Sequence, residues 1–264
     1  MRALLWSLGR QVLRLSEIQV IVRAPTLLLT VILGLASGAA PAQERIEPVY
    51  SIWEVVLGNP VSDLPEALVS EVACGTNGGP PAQPLVAFDD FATCPAEPSG
   101  LHEVAFFYDD EQDYIARALE LEYRFLQGGT SIFAHPVIVS VLVDGTGIVQ
   151  GRRIVTDDRI SDRERRTAVT LMRNFKARFS GWSLTCADLP MRDGEQPAGN
   201  QFIHELCQGT SPDGSTRIAI DASYLRKKGQ QAINTETQQV NTGYFQSQTR
   251  YDEVLAPYTP GGAP

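Results

Sequence analysis

Pro136-Val-Ile-Val-Ser-Val-Leu-Val143, closed by Asp144-Gly-Thr-Gly147 and resumed at Ile148-Val149 and Ile154-Val155, is the stretch that decides the fold. β-Branched residues suit a pleated, packed surface, and Asp with Gly between two such runs marks a turn. The spacing predicts a β-hairpin. Its first arm is apolar at both alternating sets of positions, Val137/Val139/Val141/Val143 and Ile138/Leu142, so a central strand covered on both faces is expected. The turn glycines are expected to supply positive φ.

Working outward, the chain passes Asp157-Asp158 and reaches Ser161-Asp-Arg-Glu164, the spacing of a reciprocal helix cap. Ala168, Leu171, Met172, Phe175 and Phe179 then recur on one helical face, and Gly181 follows at a left-handed C-terminal position, predicting one helix over 161–180. Its opposite face carries Arg163, Arg166, Arg173 and Lys176, with Arg165 and Arg178 nearby. Such a face is either solvated surface or a site for carboxylate or phosphate, which guanidinium groups bind through paired hydrogen bonds.

Upstream, Leu101–Tyr108 alternates like a strand, and Asp109-Asp110 is placed to cap a second helix over 111–127. The acids Asp109, Asp110, Glu111 and Asp113 suit a helix N-terminus on dipole grounds, and they lack the glycine and terminal glutamate of an EF-hand loop. Leu64–Val72 reads as a short helix capped by Asp63, and Tyr50–Leu57 as a short helix or strand stopped by Gly58-Asn-Pro60. A helix ending in Leu57-Gly-Asn-Pro60 resembles the small α+β modules of outer-membrane assembly lipoproteins and the β-lactamase-inhibitor-like fold. The resemblance covers that segment alone, without a lipid-attachment cysteine. Cys74-Gly-Thr-Asn-Gly-Gly-Pro-Pro81 is either a tight turn that brings Cys74 to Cys94 or a cradle of backbone amides for an anion.

Downstream, Trp182–Cys186 and Phe202–Cys207 read as short strands, Thr216–Leu225 as a half-exposed strand with one wet face, and Tyr244–Val254 as a last strand after a long loop over 230–242. The expected class is α+β: antiparallel sheet or sheets packed by helices at 111–127 and 161–180, disulfide-braced, and compatible with two similar small α+β halves.

Arg2, Arg10, Arg14 and Arg23 precede the apolar core Leu27–Ala36, and Ala40-Pro-Ala42 fits a small-x-small cleavage site, so residues 1–42 read as a signal peptide, with an uncleaved anchor as the alternative. The rest divides into an N-terminal α+β region (43–160), a helix plus antiparallel sheet (161–257) and a loose tail (258–264). Cys74, Cys94, Cys186 and Cys207 are an even set in an exported chain, and local pairing favours Cys74–Cys94 and Cys186–Cys207. Paired Cys-x-x-Cys or His spacing is absent, so zinc is disfavoured. Cleavage leaves 18 basic and 30 acidic residues, a net charge of −12, which repels nucleic acid and anionic lipid over most of the surface.

His102, His135 and His204 lie in no nucleophile or metal motif, and adjacent His204 and Glu205 on a strand point to opposite faces. The sequence therefore favours a periplasmic or secreted non-catalytic binding or envelope-interaction protein without a stable membrane span, metal or cofactor. Its expected contact surface is Arg163, Arg166, Arg173 and Lys176, facing an anionic envelope component or an acidic protein. The alternative is a carboxylate-dependent hydrolase of the cell envelope, drawing its acids from 109–113 or from Asp157-Asp158.

Overall fold

The structure, a computed structural model, describes residues 50–108, 130–133, 135–160, 162–233, 239–241 and 244–261. The expected signal segment, the 111–127 helix with its acidic cluster, and the Ser161 cap lie outside these residues. The strands are β1 (Val69–Cys74), β2 (His102–Tyr108), β3 (Thr130–Ile132), β4 (His135–Val143), β5 (Val149–Thr156), β6 (Thr185–Asp188), β7 (Glu195–Gln196), β8 (Ile203–Thr210), β9 (Thr216–Lys227), β10 (Ala232–Ile233), β11 (Val240–Asn241) and β12 (Gln246–Leu255). Two short helices, α1 (Asp162–Ala168) and α2 (Leu171–Arg178), follow β5.

The predicted hairpin is β4–β5, and Val137 through Val143 are all buried. A register shift at Leu142/Val143 bulges it near the turn. Only Gly147 of the two turn glycines takes a positive φ, of 85°. Asp144 does the remaining work: its Oδ1 accepts from the Thr146 N–H and hydroxyl and from the Ile148 N–H.

One antiparallel sheet runs β1-β2-β4-β5-β12-β9-β8-β6, with β3 added to β4 and β7 to β9. The protein is thus mainly β, and the expectation of helix-packed α+β halves holds only as antiparallel sheet, a short helical layer and two disulfides. The two halves share the sheet because β5 and β12 pair over five residues, setting Arg152 opposite Glu253 and Arg153 opposite Asp252. Opposite charges directly across a ladder stabilise that register. Of the wet face expected on β9, Arg217 and Asp221 are half-buried and Ser223 is buried, so the strand is more covered than expected.

The stripe Ala168, Leu171, Met172, Phe175 and Phe179 is buried as predicted, but the helix is broken between Ala168 and Leu171. β-Branched Thr167, Val169 and Thr170 weaken it there. β12 supplies what the break requires: the Val169 N–H donates to Ser247 Oγ, and the Thr249 hydroxyl donates to the Ala168 carbonyl. α2 ends at Arg178 with Phe179 as its cap, and Gly181 does not adopt the left-handed conformation.

The 64–72 segment is also not one helix. It forms a 3-10 turn, Glu66–Leu68, and then β1, because Val69, Val72 and Cys74 extend the sheet along β2. Ile52–Glu54 is another 3-10 turn whose Trp53 packs on Phe175, Phe179 and Tyr251. These rings, with Val104, Phe106, Val139, Val141, Ile154, Ile218 and Ile220, make the core on one face of the sheet. The disulfides are Cys74–Cys94 and Cys186–Cys207, the second joining residues opposite each other in β6 and β8.

Candidate functional site

The predicted basic face divides into used and unused charges. Lys176 Nζ lies 2.6 Å from Glu205. Arg165 is buried with its guanidinium 4.1 Å from the Tyr244 ring centroid, and Arg178 stacks 4.0 Å over Trp53. Arg163, Arg166 and Arg173 are exposed and have no carboxylate partner among the described residues. Of the acids considered for hydrolysis, Asp157 is held by Arg159 at 2.6 Å, while burial, aided by Asp157, pushes the neighbouring Asp158 carboxyl up.

The opposite face of the sheet carries a feature that sequence reasoning missed. Strand alternation puts Ile154, Tyr251 and Ile220 in the apolar core and therefore turns Arg153, Arg250, Asp252 and Asp221 the other way. There they form a charged row across the strands. Arg153, 1 % exposed, donates from Nε to Asp252 at 2.6 Å and from its terminal nitrogens to Glu97 at 2.5 and 3.2 Å; Glu103 Oε2 lies 3.0 Å from the same guanidinium. Asp252 also accepts from Arg250 Nε at 2.6 Å, and Arg250 continues to the carbonyl and the side-chain oxygen of Asn77. Burial alone favours a neutral arginine, but Asp252, Glu97 and Glu103 reverse this and hold Arg153 firmly protonated.

The glycine-rich string after Cys74 proves to be both turn and anion cradle. The amides of Asn77 and Gly78 donate to the Glu103 carboxylate at 2.5 and 3.1 Å, so the anion they bind is the protein's own. A Cβ at Gly75 would sit 2.2 Å from Glu103 Cγ, so any side chain there forces Glu103 or the loop to shift.

Three segments wall a cleft of about 690 Å³ above this row: Gly75–Asn77, Pro95–Ser99 and Thr259–Gly261. The first two leave the two halves of the Cys74–Cys94 disulfide, which sets their spacing. Glu97, Glu103 and Arg153 supply its charged lining, and Leu101, Leu142 and Val254 lie buried beneath it. Tyr258 packs on the same three apolar residues, while Arg217 holds the carbonyls of Pro257 and Tyr258, so the start of the tail is anchored.

Further along the row, buried His204 lies between two carboxylates, its Nδ1 4.0 Å from Glu195 and its Nε2 3.7 Å from Asp221. Burial pushes the Asp221 carboxyl up against the opposing pull of His204 and Arg250. Glu205 points to the other face, toward Lys176, as strand alternation requires. Cys186, Glu205 and Cys207 cluster closely, but the disulfide removes both thiolates as metal ligands. The row was detectable in one respect: Arg153, Arg250 and Asp252 fall in segments that read as strands, and a charge in a buried strand demands a partner. The partner's identity was not detectable. No family model, curated protein or solved structure matches the chain.

Proposed function

We propose that the chain is an exported, non-catalytic binding protein that docks an anionic group, of an envelope component or an acidic protein, on Arg163, Arg166 and Arg173. The observation that carries this reading is that these three guanidinium groups are exposed and have no carboxylate partner among the described residues, in a chain rich in carboxylates, whereas Arg152, Arg153, Arg159, Lys176 and Arg250 are all engaged by acids. Lys176, expected in the same surface, is given over to Glu205. Export is supported by the basic-apolar-small pattern of residues 1–42 and is compatible with two closed disulfides.

The test is retention of the mature chain on immobilised poly-glutamate and on phosphatidylglycerol vesicles as salt is raised. Replacing Arg163, Arg166 and Arg173 by Gln is expected to leave the melting temperature nearly unchanged and to remove retention at low salt on at least one matrix. Equal retention of parent and triple variant on both would overturn the reading.

A further inference from the structure

We propose that the cleft between the 75–77, 95–99 and 259–261 segments is a binding site for a small organic cation, an amine or guanidinium on a short aliphatic chain. The site is separate from the arginine surface, since it lies on the opposite face of the sheet. Its volume, about 690 Å³, is that of a small-molecule pocket rather than of a packing defect.

The sign of the ligand follows from the charged lining. Among the described residues lining the cleft, Glu97 and Glu103 face Arg153, two carboxylates against one guanidinium group, while Asp252 pairs with Arg153 and Arg250 behind them. Arg153 donates from all three of its nitrogens to those carboxylates. An anion entering the cleft would have to displace Glu97 and would meet an excess of negative charge. A cation meets Glu97, whose side chain keeps 16 % of its surface open. A carboxylate offers about four acceptor positions, and the two Glu97–Arg153 bonds leave acceptors for an incoming N–H.

The rest of the cleft narrows the class. No aromatic ring lines it among the described residues, which favours neither the stacking that suits sugars nor an aromatic cage for quaternary ammonium. Pro95, Ala96 and Pro98, exposed on its wall, suit an alkyl chain, whereas Leu101, Leu142 and Val254 beneath are already buried under Tyr258. A metal ion is disfavoured because the carboxylate oxygens do not converge with other ligands; the only such grouping among the described residues is Cys186, Glu205 and Cys207.

Isothermal titration of the intact mature protein with agmatine tests the site, with glutarate and glucose as anionic and neutral controls and a capped Gly-Arg-Gly peptide to separate a free cation from an arginine side chain. Agmatine is expected to bind, the controls and the peptide not. Glu97→Gln is expected to weaken agmatine at least about tenfold. Because that change also touches Arg153, Ser99→Trp is the second variant: it fills the cleft from its rim and replaces no member of the charged row, giving up only the bond from the Leu101 N–H to Ser99 Oγ, and should abolish binding with a small drop in melting temperature. The Arg163, Arg166 and Arg173 variant should bind agmatine like the parent, so the two proposals fail separately. Absence of agmatine binding, binding untouched by Ser99→Trp, or preference for glutarate, glucose or the peptide would each overturn the assignment.

Discussion

Single positions on the charged face carry unequal weight, and burial decides which. Arg153 is enclosed by Glu97, Glu103 and Asp252, so removing it leaves three carboxylates facing one another in a buried row. Arg153→Met is therefore expected to cost about 3–5 kcal/mol in urea unfolding, the range for breaking a buried pair. Arg163→Gln, at an exposed residue with no partner among those described, should stay within about 0.5 kcal/mol of the parent. Gly75 is the third sensitive position. A methyl there collides with Glu103 and pushes it from the amides of Asn77 and Gly78, so Gly75→Ala should lose about 2–4 kcal/mol in the same experiment. A loss under about 0.5 kcal/mol would show that the loop relaxes and that the cradle holds little.

Among the elements, the β4–β5 hairpin and the α1–α2 break obey different controls. The hairpin turn is local: burial nudges the Asp144 carboxyl up, but hydrogen bonds from Thr146, Gln150 and Ile148 win and hold it below its ordinary value of 3.8. A depressed folded pKa means that the unfolded chain takes up the proton first, so this stabilisation is complete above the ordinary carboxylate range and is lost as the pH falls through the lower folded value. Asp144→Asn should melt below the parent at neutral pH, and the two melting curves should converge on acidification; a constant gap down to pH values well below that range would contradict the assignment. The helix break is non-local, resting on Ser247 and Thr249 of β12. Ser247→Ala and Thr249→Ala each orphan a buried backbone group, and each is expected to cost about 1–3 kcal/mol by chemical denaturation. Full stability in both would mean that α1 and α2 can rejoin into the single helix that the apolar stripe predicts.

For the molecule as a whole, one sheet separates two surfaces with different chemistry: an apolar face under the aromatic rings and α2, and a charged face ending in the cleft. The disulfides close loops of 20 and 21 residues, so chain entropy assigns each about 3 kcal/mol. Their structural duties differ. Cys74–Cys94 sets two walls of the cleft, while Cys186–Cys207 joins β6 to β8 at the far end of the sheet. Replacing either pair by Ser should lower stability by similar amounts in urea unfolding, but only the Cys74/Cys94 variant should also weaken agmatine titration. Equal effects of the two variants on binding would show that the first bridge does not shape the cleft.

The sequence by itself determined the hairpin, the long strands β2, β8, β9 and β12, the buried stripe of α1 and α2 and the local disulfide pairing, because each depends on residues within a turn, a strand or a short loop. Tertiary structure decided the merging of both halves into one sheet, the interruption of the helix by β12 hydroxyls and the fate of the basic residues. Arg153 meets Asp252 across 99 residues of chain and Arg152 meets Glu253 across 101. Such pairs leave no periodic trace: a charge in a strand announces that it needs a partner, but which one it finds depends on strand order and register, and those are set by burying the whole apolar face at once.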